Sequence, residues 1–190
     1  MISAIRRRLT RDDGAAAIEA ALVIPLLIII IFGVIEFSMI LRNNAALSGA
    51  TRAGARVASA EPRMATFTQD AANAVLQTGV AMPVGNIEEI WIYRAGTNGK
   101  PIGQSSFTSC GSNCARFRVN GDAAQFAGGS YPATSVNACP GQMHNVGVYI
   151  KAKHTFVTQL FGANMTLTDH ASTKFEPIPT TAQDRDNTCR

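Results

Sequence analysis

The hydrophobic positions of this chain are concentrated at one end. Residues 20–35 read AALVIPLLIIIIFGVI without a charge, and after Glu36 the run continues as FSMIL to Leu41. A membrane-crossing helix needs about 20 mostly apolar residues, and residues 15–41 exceed that. The two acids in the stretch, Glu19 and Glu36, fall about 25 Å apart on a helix rising about 1.5 Å per residue. Each can therefore sit near one face of a hydrocarbon core about 30 Å thick. A charge at the centre of that core costs roughly 3 kcal/mol or more.

The helical pattern does not stop at Leu41. Residues 43–60 read NNAALSGATRAGARVASA, with small side chains at Ala46, Gly49 and Ala50, Ala53 and Gly54, and Val57 and Ala58. A spacing of three and four makes one stripe that a packing partner can approach closely. Arg52 and Arg56 lie on a different face, and Pro62 marks the end. The pattern predicts a single helix over 15–60, about 67 Å long, with its lower half in the membrane and its upper half above it. Beyond it, residues 64–78 predict a short helix that turns Phe67, Ala71, Ala74 and Val75 inward. Residues 87–93, 115–119 and 165–175 predict strands. The strict alternation of Val146, Val148, Ile150, Ala152, His154 and Phe156 predicts the best one. Residues 110–142, punctuated by Gly and Pro, read mostly as loop. The expected fold is α+β: a long N-terminal transmembrane helix extending into a small exported domain with an antiparallel sheet. The segments are a basic leader (1–14), the helix (15–60) and the exported domain (61–190).

Composition sharpens this reading. Of the 190 residues 46% are hydrophobic and only 16% charged, which excludes global disorder, and the clustering excludes a single ordinary globule. The net charge of +4 comes largely from Arg6, Arg7, Arg8 and Arg11. Once the leader is set aside the two signs nearly balance, so no nucleic-acid footprint is expected. Arginines before the span and only Arg42 just after it keep the N-terminus cytoplasmic and send residues 61–190 outward.

The junction Asp12-Asp13-Gly14-Ala15-Ala16-Ala17-Ile18-Glu19 resembles the type IV prepilin processing signal. In that signal a membrane peptidase cuts on the cytoplasmic side after the Gly, and the Glu is the fifth residue of the mature chain. Gly14 lets the backbone enter a tight protease site, and the apolar run stays in the bilayer because the cut precedes it. The new amine of Ala15 would be largely protonated near neutral pH. In an assembly it needs a partner, and Glu19 of a neighbouring subunit has the right length and sign. Glu19 would also lie in the first helical turn of the mature chain, where a negative charge is favoured.

The likeness runs further. GAAAIEAALVIPLLIIIIFGVIEF and AALSGATRAGARVASA are similar to the opening of TadE-like proteins, the pseudopilins of Tad (Flp) pilus systems. Gly14, Glu19, Pro25, Gly33, Glu36-Phe37 and Ala53-Gly54-Ala55-Arg56 match that pattern over residues 6–60. Ala20 departs from it where the family often has Phe, which bears on helix packing rather than on processing. The resemblance implies a pilin-like minor pilin or pseudopilin of the bacterial inner membrane. It also implies three partners: a prepilin peptidase, other pilins with the Tad machinery, and membrane lipid.

The remaining chemistry is sparse. Cys110-Gly-Ser-Asn-Cys114 is a CxxxC, unlike the CxxC of thiol oxidoreductases and zinc sites. With Cys139 and Cys189 it allows three pairings. An oxidising compartment favours disulfides, and Cys110–Cys114 with Cys139–Cys189 is the expected pairing because the shortest loop closes most readily. His144, His154 and His170 are scattered, so no metal site is expected, and no cofactor is implied. Glu88 and Glu89, adjacent in a strand, should point to opposite faces. The sequence lacks G-x-S-x-G, a P-loop, H-E-x-x-H and a strand-borne G-x-G-x-x-G, so no enzyme activity is expected. The competing readings are an anchored exported domain that binds an envelope partner or ligand, and a periplasmic thiol enzyme.

Overall fold

In the computed structural model, the described residues are 11–78, 82–159 and 161–178. They form a helix α1 (Arg11–Ala60), a helix α2 (Phe67–Thr78) and five strands. The strands are β1 (Ile87–Ala95), β2 (Cys114–Asn120), β3 (Ala123–Ser130), β4 (Asn145–Thr155) and β5 (Asn164–Lys174). The strands pair antiparallel in the order β3-β2-β1-β4-β5. The chain divides into two compact units at Met39/Ile40.

In the first unit, α1 begins at Arg11, earlier than the expected Ala15, so Gly14 lies inside the helix. Side chains from Ala15 to Ile35 are exposed apart from half-buried Gly33. This is the segment long and apolar enough to cross a membrane, with mean hydropathy 2.9 over its best window and none of that window buried. Soluble proteins rarely expose contiguous apolar surface beyond a few hundred Å², so the segment fits a single-pass anchor.

The second unit begins on the same helix. α1 passes through Leu41 and Asn43 unbroken, as the small-residue pattern predicts. Leu47, Ala50, Thr51, Gly54, Ala55, Ala58 and Ser59 are buried. That stripe is rotated slightly from the expected one: Ala50, Gly54 and Ala58 lie inward as read, while Gly49 faces out. A Cβ on Gly54 would stand 2.6 Å from Val75 Cγ2 and 3.1 Å from the Ala71 carbonyl. Glycine is what allows α1 to meet α2 at this distance.

One sheet face joins this packing through Ile90, Ile92, Phe117, Val146, Val148, Ile150, Ala152 and Leu167, with Phe67 and Val75 of α2. The strict alternation read in β4 is the alternation seen. In α2, Ala74 is half-buried, while Ala72 and Leu76 are buried.

The opposite sheet face carries Trp91, Tyr93 and Tyr149, packed with Phe107 and Cys110 of the β1–β2 connection. Phe107 stacks on Tyr149 at 4.2 Å between ring centroids. The Tyr93 hydroxyl donates to the Gly99 carbonyl at 2.7 Å, and burial pushes this phenol well above its ordinary pKa. Gly147 on β4 faces Tyr93 on β1. A Cβ there would lie 2.4 Å from the tyrosine ring, so the ring covers the bare backbone.

Strand β3 was expected to be loop. It forms with a bulge: Arg116 pairs with Gly128 but Phe117 with Phe126. Gly128 and Gly129 have φ of 128° and 82°, a conformation available to Gly at low cost. These residues bend a sheet edge instead of ending it.

Candidate functional site

The Gly14–Glu19 junction is open. Gly14, Ala15 and Glu19 are exposed on α1, and a Cβ on Gly14 would meet nothing within 4 Å. Ala15 and Glu19 are four residues apart and share a helix face. Arg6, Arg7 and Arg8 lie outside the described residues, and Arg11 is the first residue of α1. Glu36 is 1% exposed.

Cys110 and Cys114 are bonded, with Cα atoms 5.3 Å apart, which fastens the β1–β2 connection to the start of β2. A Cβ at Gly129 would fall 2.2 Å from the Cys114 carbonyl oxygen and 3.2 Å from Cys110 Sγ, so β3 needs Gly beside this bridge. Cys139 is also disulfide-bonded, and no described cysteine is free. Cys189, its expected partner, lies outside the described residues. Protein recovered from its native compartment should take up no thiol label without reductant, and label at all four cysteines after reduction under denaturation. An intact-mass measurement checks this, and labelling before reduction would count against pairing of the whole set.

Two arrangements escaped sequence reading. Asn43 Nδ2 donates to His154 Nδ1 at 2.8 Å, and His154 is 3% exposed. Its other ring nitrogen is buried without a hydrogen bond. Thr51 Oγ1 lies 3.3 Å from Asp169 Oδ2. Both contacts tie α1 to the β4–β5 hairpin, over sequence separations no local pattern reports.

The Glu88–Glu89 expectation is overturned. A bulge places Ile87 opposite Ala152 and Glu89 opposite Lys151, so Glu88 is the extra residue. Both carboxylates then act on Lys151. Glu88 lies 3.2 Å from its Nζ, and hydrogen bonding to Glu88, then the charges of Glu88 and Glu89, raise the ammonium pKa. Glu89 also accepts from Trp91 Nε1 at 3.1 Å. Elsewhere, burial and then the charge of Arg94 hold the His144 pKa below its usual value. His144 accepts at Nδ1 from the Asn137 N–H at 3.1 Å. It borders an open pocket of about 710 Å³ that also meets Arg94, Asn98 and Gln104. Among the described residues no three His, Cys, Asp or Glu side chains come together as metal ligands.

Among the described residues, one long apolar helix that continues into the core of a five-stranded antiparallel sheet fits a helix-anchored α+β protein. Within that class the relationship is specific: residues 14–56 match the family of TadE-like proteins, so the chain carries a TadE-like segment that starts at Gly14 and ends at Arg56. No curated protein matches the chain, and neither does any solved structure.

Proposed function

We propose that the chain is a minor pilin or pseudopilin that takes part in assembly of a Tad (Flp) pilus, with a structural rather than a catalytic role. The observation that carries this reading is the TadE-like match over residues 14–56, which begins at the glycine of the processing motif. On this reading a prepilin peptidase removes residues 1–14. Residues 15–41 hold the protein in the bacterial inner membrane with its N-terminus cytoplasmic, and the sheet domain lies on the exported side. The Cys110–Cys114 bridge supports an oxidising location. Other pilins and the Tad machinery are the partners, and the stripe of small residues is committed to the chain's own core, so self-assembly uses other faces.

The alternative, an anchored domain that binds an envelope ligand, draws on the pocket beside His144. The two readings separate at the N-terminus. In a host with the cognate peptidase the mature mass should correspond to a chain starting at Ala15, and Gly14→Leu should retain the leader. Because Gly14 has open space around it, that substitution leaves the fold undisturbed and reports on the peptidase alone. Retention of Met1 in the unsubstituted protein would falsify the processing reading.

A further inference from the structure

The β4–β5 hairpin tip carries exposed apolar side chains. Val157 is 70% exposed, Phe161 60% and Met165 43%. The direction of the hairpin follows from its contacts. Gly54 faces Val148, Thr51 meets Asp169, which pairs with Ile150, and Asn43 meets His154. Descending α1 from Gly54 to Asn43 therefore means ascending β4 toward the tip. The rises agree: eight helical residues from Thr51 to Asn43 cover about 12 Å, and four strand residues from Ile150 to His154 about 13 Å. Val157, three residues further toward the tip, follows the end of β4 at Thr155 and lies beyond the level of Asn43.

Main-chain hydrogen bonds and ring contacts join the described residues of the tip. The Phe156 N–H donates to Ala163 O at 3.2 Å, and that of Gly162 to Gln159 O at 3.2 Å. The Phe156 ring meets His154 at 5.2 Å and Phe161 at 6.4 Å, which links the tip to the Asn43 contact. Arg42 and Lys153, each one residue from that contact, are exposed, and residues 151–168 hold no acid. Apolar side chains at the end with cations set back from them is the arrangement that enters a headgroup layer by about 5–10 Å and favours anionic lipid.

We propose that the β4–β5 hairpin tip, through Val157, Phe161 and Met165, is a second membrane contact. It dips into the leaflet on the sheet domain's side, with Arg42 and Lys153 on the headgroups. The inference rests on the reading of residues 15–41 as a membrane helix, and the test separates the two. The full chain is reconstituted into phosphatidylethanolamine/phosphatidylglycerol vesicles containing lipid with a doxyl quencher either near the headgroup or in mid-chain. Trp91, the single tryptophan, gives the background. Phe161→Trp, with Val157→Trp as a second probe, should lose its added emission to the shallow quencher, and Ile28→Trp to the deep one. Quenching of Ile28→Trp while both tip probes stay at background, whether water-exposed or shielded by another copy, overturns the hairpin contact alone. No quenching of Ile28→Trp overturns the membrane helix and the hairpin contact with it.

Discussion

Gly54→Leu should unfold the sheet domain well below the melting temperature of the unsubstituted protein. Even one carbon at this position lies 2.6 Å from Val75 and 3.1 Å from a main-chain oxygen of α2, and that oxygen cannot rotate aside as a side chain can. A leucine therefore forces α1 and α2 apart and opens the core around Leu47, Ala50 and Val148. Overpacking of this kind costs about 1–3 kcal/mol and sometimes more, and the separation of two helices belongs at the upper end. For a domain of this size that corresponds to a drop of roughly 10 °C. Gly49 supplies the control. It is on the same helix, but a Cβ there meets nothing, so Gly49→Leu should be neutral or slightly stabilising through helix propensity. Thermal melts of the full chain in detergent, followed by circular dichroism in the strand region, measure both. If the two variants melted together, close packing at Gly54 would be the wrong account.

Glu19→Ala should leave cleavage intact and abolish stable association with pilus components. In the proposed assembly the Ala15 amine and a neighbour's Glu19 meet away from water, and removing one partner of a buried ion pair costs about 3–5 kcal/mol. That is on the order of a hundredfold or more in affinity. Glu19→Gln keeps the length without the charge and should fail nearly as badly, whereas a purely steric role would let it pass. The helix itself should be unaffected, since Glu19 is exposed. Co-purification from a pilus-producing host, with mature mass as the control for processing, reads the result. Normal recovery of partners with Glu19→Ala would reduce Glu19 to an ordinary residue near the membrane face.

The parts of this fold that could be read from sequence are those where one physical requirement acts over many residues. The apolar run, the small-residue face of α1 and the alternation of β4 each repeat the same demand several times. What escaped reading depends on single positions and long separations. Gly128 and Gly129 look like breakers, yet β3 needs them: both have positive φ, and at Gly129 the Cys114 carbonyl occupies the space of a side chain. Glu88 and Glu89 obey strand alternation until a bulge at Ile87/Glu89 brings both to Lys151. The Gly14–Glu19 junction was legible as a motif, and the structure adds its exposure and the open space around Gly14.

The contacts of α1 with the hairpin also set an order of events. Asn43 and His154 are 111 residues apart in the chain, and Thr51 and Asp169 are 118 apart. Pairings of such separation must close large loops before they gain anything, so they form slowly and late. Residues 47–59 are made early, yet they have no core to join until β4 and β5 have been made. On the proposed reading, in which the sheet domain is exported, it crosses as an unfolded chain, and its folding is completed only when its last strand has been delivered.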